Sequence, residues 1–138
     1  MKIKLDPNRG LMPVRAHDMD AGLDILAPSD FRIPRGHFAV VRTGVHIAIP
    51  PGFVGILKSK SGLSTKFNVH TVDGVIDAGF TGEITVKLHN AGTGVMHFKR
   101  GEKLTQLVIL PCLTPELELV DELDETERGD GGFGSTGR

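Results

Sequence analysis

Glycine and proline interrupt this chain every few residues, with 18 glycines and 8 prolines among 138 residues. Between them lie short runs with the composition and alternation of β-strands, and there are no helical heptads. Many short strands closed by turns are typical of a β-sandwich or a jelly-roll barrel, so the sequence predicts an all-β fold. The predicted strands are Lys2–Leu5, Leu23–Ala27, His37–Ile49, Phe53–Lys58, Glu83–Asn90 and Lys103–Pro111.

One helical turn and one hairpin are predicted between these strands. The stretch Ser61–Phe67 can form a single helical turn, with its first serine as the cap. The dipeptide Asp73-Gly74 is typical of a tight β-hairpin. It predicts that the segment containing Val69 pairs with the segment Val75–Ile76.

The composition changes after Glu122, where an acidic stretch leads into the glycine-rich tail Arg128 to Arg138. Such a tail cannot offset its own ordering entropy, so we predict a β domain over residues 1–122 and a flexible arm over residues 123–138. In this arm, arginine can bind phosphate oxygens, Phe133 can stack on a base, and glycine admits close backbone approach. The arm is therefore a candidate lid over a nucleotide. The alternative is a disordered, solubilising terminus.

Composition and charge argue against several functional classes. The formal net charge of −1 and the pI near 6.6 give no sequence-wide basic field, which argues against a nucleic-acid binder. No apolar run approaches a membrane span, and the first five residues do not resemble a signal peptide. The single cysteine, Cys112, is predicted to be a buried strand residue in a reducing, cytoplasmic setting. The six histidines show no zinc-like clustering.

Two further segments could carry chemistry. Lys58–Leu63 follows an apolar strand and brings amides, hydroxyls and two ammonium groups together, so it can bind an anion; the alternative is a charged surface turn. Asp77 ends an apolar strand segment, where a partly buried carboxylate can act as a general base toward water while Phe80 packs on a sugar. The alternative is that Asp77 only forms a turn ahead of Gly79.

Taken in order, five segments resemble the five signature motifs of the trimeric dUTPase family, the deoxyuridine triphosphate nucleotidohydrolases. Together they span nearly the whole chain, and the joint match is what makes the resemblance specific. The segments are Ala21–Ala27 (AGLDILA), Lys60–Leu63 (KSGL), Gly74–Gly82 (GVIDAGFTG), Gly101–Leu107 (GEKLTQL) and Arg128–Gly137 (RGDGGFGSTG).

The resemblance implies a jelly-roll homotrimer with three sites at subunit interfaces, each closed by a mobile C-terminal arm. It implies hydrolysis of dUTP to dUMP and pyrophosphate, with Mg²⁺ held mainly by the triphosphate and Asp24 holding metal-bound waters. Asp77 would be the general base that activates a water for attack on the α-phosphorus. The implied substrate-binding residues are Lys60, Ser61, Gly62, Asp73, Gly74, Val75, Ile76, Phe80, Gln106, Arg128, Phe133, Gly134, Ser135 and Thr136.

Two residues depart from the family pattern. Lys60 stands where motif two usually has arginine, and lysine keeps the charge but lacks the bidentate fork. Phe80 stands where tyrosine is common, and it keeps the ring that would pack on deoxyribose and exclude a 2′-hydroxyl. The resemblance also assigns the uracil edge to the backbone of residues 72–75 and stacking on uracil to Phe133.

Two alternative functions are compatible with the same fold. A dCTP deaminase needs a carboxylate in the strand after the motif-three turn, where this chain has Lys87, which cannot perform the same proton transfers. A non-catalytic dUTP-binding regulatory protein is the other alternative, and the retained Asp24, Ser61 and Asp77 argue against it. A regulatory protein partner for an active enzyme also stays open.

Overall fold

The computed structural model describes residues 1–132; the predicted site residues Phe133, Gly134, Ser135 and Thr136 lie outside this range. The described chain consists mainly of strands, which confirms the all-β prediction. No helix within residues 1–132 is both long and apolar enough to cross a membrane. The elements are β1 Lys2–Leu5, β2 Gly22–Leu26, β3 Phe31–Ile33, β4 Phe38–Ala48, β5 Phe53–Lys58, α1 Ser61–Phe67, β6 Val69–Thr71, β7 Gly74–Ile76, β8 Glu83–Asn90, β9 Met96–Phe98 and β10 Lys103–Pro111.

The strands form two four-stranded sheets and one two-stranded ribbon, and all pairings are antiparallel. One sheet has the order β1-β4-β8-β6, the other has the order β2-β10-β5-β7, and β3 pairs with β9. Strands that are consecutive in the chain always lie in different sheets, so the chain crosses repeatedly between them. This crossing pattern is that of a jelly-roll barrel.

Buried apolar and exposed residues alternate along the strands, and the buried side chains form one hydrophobic core between the sheets. In β8 every second side chain is buried, as expected for a strand with one face on the core. In β10, Leu107 is fully buried and is paired with Leu23 of β2 and Leu57 of β5. The Thr71 hydroxyl of β6 donates to the Thr105 hydroxyl of β10 at 2.9 Å, which ties the two sheets together within the core.

Helix α1 begins at Ser61 and ends at Phe67, as the sequence predicts, but the predicted serine cap is wrong. Lys60 occupies the N-cap position with extended backbone, and no side chain makes a capping hydrogen bond. The Ser64 hydroxyl donates back to the Lys60 carbonyl oxygen at 3.1 Å. Asn68 ends the helix in the left-handed conformation, with φ 53°. The helix therefore holds Lys60 directly after the end of β5.

The hairpin predicted at Asp73-Gly74 is wrong. The strands on either side belong to different sheets, since β6 pairs with β8 and β7 pairs with β5. Gly74 is already the first residue of β7 and lacks the positive φ that a type I′ hairpin turn requires. The turn preference of this dipeptide is overridden because the apolar faces of β6 and β7 pack on opposite sides of the core.

The prediction that Cys112 is a buried strand residue is also wrong. β10 ends at Pro111, and Cys112 lies just beyond it with intermediate exposure. From there to residue 132 the chain forms no helix or strand, and its leucines project into solvent, with Leu117 98% and Leu119 100% exposed. The structure does not test the predicted boundary between a domain of residues 1–122 and an arm of residues 123–138.

A β-bulge in β4 gathers charged groups at the start of β8. The β4–β8 register shifts between Arg42 and His46, and Gly44 within the bulge has φ 71°. Glu83 accepts hydrogen bonds from the Gly44 N–H and from Arg42 Nε, both at 2.8 Å, and lies 3.0 Å from the Arg9 guanidinium. Glu83 therefore joins β8 to the bulge and to the N-terminal segment.

The burial of β10 leads to a stability prediction. Leu107→Ala should lower the free energy of unfolding by about 2 to 5 kcal/mol, because it leaves a cavity in a core that cannot fully collapse. Leu110→Ala is the matched control on the same strand, where the side chain is 45% exposed, and it should cost much less. Equal losses in chemical denaturation would contradict the proposed core.

The Glu83 cluster leads to a prediction about acid stability. Burial by itself raises the pKa of Glu83, but hydrogen bonds from the Gly44 N–H and Arg42 outweigh it and hold the pKa below its ordinary value of 4.5. The ionised carboxylate therefore stabilises the fold above that value, and this contribution is lost as the pH falls further.

Denaturation of the wild type and Glu83→Gln across this range should show the stability gap narrowing as the pH falls below about 4.5. Glu118→Gln, which changes an exposed carboxylate of the C-terminal segment, is the control and should leave the wild-type pH profile unchanged. A gap between wild type and Glu83→Gln that is constant with pH would refute the role assigned to the carboxylate.

Candidate active site

Asp24 of β2 is a buried carboxylate held by two lysines. Its neighbour Ile25 points into the core, so the Asp24 side chain faces the opposite side of the sheet, yet the residue is only 4% exposed. Lys60 Nζ donates to Oδ1, and Lys103 Nζ lies 2.7 Å from Oδ2. The two ammonium groups thus cover the carboxylate and are oriented by it.

The charge state of Asp24 follows from this arrangement. Burial by itself raises the pKa of the carboxyl, but hydrogen bonds from Lys103 and Lys60 outweigh it and hold the pKa below its ordinary value. Asp24 is therefore ionised at neutral pH. The cluster carries one negative and two positive charges, and this excess of positive charge favours binding of an anion.

A cavity of about 380 Å³ opens beside this cluster. Its lining includes Asp24, Lys60, Lys103 and Gln106, together with a second carboxylate, Asp20, and the small residues Ala16, Ala21 and Gly22. Gln106 Nε2 donates to the Ser59 carbonyl oxygen at 3.1 Å, which fixes its amide beside the cavity. The cavity therefore joins positive charge and amide donors, which are the groups that bind phosphate oxygens. We call it the phosphate-side cavity.

Glycine is required next to this amide. A Cβ atom at Gly22 would lie 2.6 Å from Gln106 Oε1, so a larger residue would displace the Gln106 side chain.

Ser61 and Gly62 follow Lys60 as the exposed first residues of α1. Their N–H groups have no partner within the helix and are available to an anion at that end.

A second group of predicted residues surrounds the turn after β7. Asp77 is exposed, and its carbonyl oxygen accepts the Phe80 N–H at 3.0 Å. Phe80 is 42% exposed, and its ring lies so close to Gly82 that a Cβ there would be 2.6 Å from the ring. The turn thus exposes both a carboxylate and an aromatic ring. We call residues 77–83 the motif-three turn.

The residues before this turn divide between core and surface. Ile76 is buried in the core, so only its backbone can contribute to a site, whereas Val75 is exposed. Asp73 Oδ1 lies 3.4 Å from Lys58 Nζ across the β5–β7 pair, and Gly74 follows as the first residue of β7. Backbone groups along this edge strand are therefore the available polar contacts.

The phosphate-side cavity and the motif-three turn do not meet within one chain. Asp24 is paired with Gln106 of β10. When the register of β7 is extended by one residue, Asp77 lies opposite Val54 of β5, and Val54 is paired with Leu110 of β10. With three strand spacings of about 4.8 Å and an offset of four residues at about 3.3 Å, the Cα atoms of Asp24 and Asp77 lie roughly 20 Å apart along the sheet. That is several times the span of a single hydrogen-bonded water.

Arg128 joins neither group in this structure. Its side chain is exposed, and its Nε donates to the Gly131 carbonyl oxygen at 2.8 Å, so its contact lies within the C-terminal segment itself. The four residues predicted after it, Phe133 to Thr136, lie outside the described range.

Lys103 is the functional residue that the sequence did not single out. It lies within the fourth of the five motif segments, and a charged residue at the start of a strand is usually exposed to solvent. A register shift between Lys103 and Thr105 brings its ammonium to Asp24. The lysine is evident in the sequence, but the bulge that directs its side chain toward Asp24 is not. Within residues 1–132, no group of three or more histidine, cysteine or acidic side chains could hold a metal.

Comparison with known proteins identifies the family of this chain. The sequence profile of the dUTPase family matches residues 8–137. Relatives include the deoxyuridine 5′-triphosphate nucleotidohydrolase of Rhodococcus erythropolis, 42% identical over 97% of this chain and 83% of the relative. The protein of the same name from Mycobacterium tuberculosis is 43% identical over 98% of this chain and 92% of the relative.

Solved structures agree with the sequence matches. The dUTPase of Staphylococcus bacteriophage 80alpha with dUpNHpp has a TM-score of 0.91 and 34% identity, covering 99% of this chain and 98% of that one. A mutant dUTPase from phage phi11 of S. aureus, in which a structural Mg(II) ion is coordinated, has a TM-score of 0.81 and 32% identity over 88% and 96% of the two chains. The chain therefore belongs to the dUTPase family.

Proposed function

We propose that this protein hydrolyses dUTP to dUMP and pyrophosphate. The observation that carries the proposal is that the family's motif residues form two complementary half-sites. The phosphate-side cavity holds Lys60, Lys103 and Gln106, while the motif-three turn presents an exposed carboxylate beside an aromatic ring. One half suits a triphosphate and the other suits a sugar and an attacking water.

We further propose that the site is shared between subunits of a homotrimer. The separation of roughly 20 Å between Asp24 and Asp77 means that one chain cannot bring both to one nucleotide. A neighbouring copy can supply the missing half, since a closed ring of identical chains repeats the same junction. The nearly fully exposed leucines at 117 and 119 support this assembly, because a partner surface would remove them from water.

In the proposed reaction Asp77 is the general base. Its carboxylate takes a proton from a water that attacks the α-phosphorus in line with the leaving pyrophosphate. Phe80 packs on the deoxyribose, and the backbone of residues 72–75 reads the uracil edge, leaving no room for a 5-methyl group. Lys60, Lys103, Gln106 and the amides at Ser61 and Gly62 bind phosphate oxygens and stabilise charge on the leaving group.

Magnesium fits this donor set when it arrives with the triphosphate. Mg²⁺ keeps several waters and is usually bound by one or two carboxylates together with substrate phosphates. Asp24 supplies one ionised carboxylate at the phosphate-side cavity and would accept hydrogen bonds from metal-bound waters beside its two lysines. When bound, the ion would neutralise charge on the pyrophosphate.

The C-terminal arm is proposed as the lid over the bound nucleotide. Arg128 would add charge at the phosphates, and Phe133 would stack on uracil. Gly134, Ser135 and Thr136 would complete the cover over the phosphates. Arg128 is exposed, and both of its hydrogen bonds within residues 1–132 are to Gly131 of its own segment, which is consistent with an arm that is free to close.

The activity is tested by incubating the protein and Mg²⁺ with dUTP, dCTP, dTTP or UTP separately and resolving the products by ion exchange. We expect dUMP and pyrophosphate from dUTP alone, and a fall in kcat of at least about 100-fold in Asp77→Asn. Uptake of dUTP without hydrolysis would favour the regulatory protein. Formation of dUTP from dCTP would favour the deaminase, although Lys87 lies on the outer sheet face against the Phe38 ring.

The shared site is tested by mixing two defective variants. Asp77→Asn removes the base from one half-site, and Lys60→Met removes a phosphate-side charge from the other. Subunits mixed in equal amounts, unfolded and refolded together should recover about a quarter of wild-type activity, because a junction with both halves intact forms at that frequency. Variants refolded separately and then combined are the control. Activity that stays at the average of the two defective proteins would contradict a shared site.

A further inference from the structure

The imidazole of His46 lies between two hydrogen-bond acceptors from distant parts of the chain. Its Nδ1 is 3.1 Å from the Thr81 carbonyl oxygen, and its Nε2 is 3.1 Å from Oδ1 of Asp6. Thr81 belongs to the motif-three turn, which also carries Asp77 and Phe80, whereas Asp6 directly follows β1. The ring therefore connects the motif-three turn to the N-terminal strand.

The two contacts depend on the protonation state of the ring. Neutral imidazole has one N–H, so it can donate to Thr81 or to Asp6 but not to both. Asp6 cannot become the donor, because hydrogen bonds from Arg9 and His46 hold the pKa of its carboxyl below the ordinary value. Only the imidazolium form of His46 makes both hydrogen bonds.

The surroundings of His46 include charges of both signs. On β1, Lys4 is directly opposite His46, and on β8 the opposite residue is Glu83. Arg9 bridges Asp6 and Glu83, and Arg42 also binds Glu83. The C-terminal end of the motif-three turn is thus fixed through Glu83, and His46 supplies an independent anchor two residues earlier. The His46 side chain is 19% exposed, so protons can reach it.

We infer that His46 is a positioning residue for dUTP hydrolysis. Through its contacts with Thr81 and Asp6, the ring holds the motif-three turn against the N-terminal strand, and this hold keeps Asp77 and Phe80 in the placement that the reaction needs. Neither His46 nor Asp6 lies in the five motif segments, and the inference rests on the proposed function.

Replacement of His46 gives the first test. In His46→Ala, kcat for dUTP should fall by about tenfold with a smaller change in KM, because a displaced base costs more than a slightly altered pocket. Hydrogen–deuterium exchange should be faster in the peptide covering residues 77–83, where the Phe80 N–H is bonded to Asp77. His97→Ala, which removes an exposed histidine on β9, is the control and should match the wild type in both measurements.

Asp6→Asn separates positioning from general stability. An asparagine can keep its carbonyl oxygen toward Arg9 and turn its amide toward His46, so that the neutral ring accepts at Nε2 and still donates to Thr81 from Nδ1. Asp6→Asn should therefore keep kcat for dUTP near the wild-type value, whereas His46→Ala lowers it. A merely structural role would instead make kcat in the two variants follow their melting temperatures.

The outcomes separate this inference from the proposed function. A wild-type protein that does not hydrolyse dUTP refutes the proposed function, while the exchange measurement still reports on the anchor. Normal hydrolysis by the wild type, together with unchanged kcat and unchanged exchange in a folded His46→Ala, would overturn the inference. A fall of kcat in a folded Asp6→Asn as large as that in His46→Ala would overturn the part assigned to the contact between His46 and residue 6.

Discussion

The pairing of β10 with both β2 and β5 determines where every charged group of the site lies. Gln106 is opposite Asp24 on one side and opposite Lys58 on the other, so the middle of β2 and of β10 lies beside the end of β5, where Lys60 reaches the cavity. The same register places the motif-three turn at the far edge of the sheet, beyond β7. A slip of one residue would turn Gln106 into the core and Leu107 out to the surface.

This register underlies the proposal that a single chain does not hold a complete site. The phosphate-side cavity has charge and amide donors but no base, and the motif-three turn has a carboxylate and a ring but no phosphate ligands. The buried Asp24 contributes by orienting Lys60 and Lys103, and it stays ionised because those lysines offset the effect of burial on its pKa. The proposed assembly of copies would join the two halves, and it would also cover the exposed apolar side chains.

Much of the fold could be predicted because each strand has a strong local pattern. Four of the predicted strands have the observed bounds, and the other two differ only at their ends, as does α1 in its cap. The errors arose where tertiary pairing overrides local preference. The Asp73-Gly74 dipeptide favours a hairpin, yet its flanking strands pair in different sheets. Cys112 follows an apolar run, yet the strand ends before it.

The candidate site could likewise be predicted only in part from the sequence. Asp24, Lys60, Gln106, Asp77 and Phe80 were identified through the ordered motifs, whereas composition alone suggested only a possible phosphate binder. The inward turn of Lys103 depends on a bulge in β10, and the link from Asp6 through His46 to Thr81 depends on a bulge in β4. Bulges shift register by residues that look ordinary in a sequence, so both features became visible only in three dimensions.

The central claim is that one nucleotide is bound by residues from different copies of the chain. A crystal structure of the protein with Mg²⁺ and a non-hydrolysable dUTP analogue tests this most directly. We expect each analogue to contact Asp77 and Phe80 of one protomer and Lys60 and Lys103 of another. An analogue bound with Asp77 and Lys60 from the same chain would contradict it.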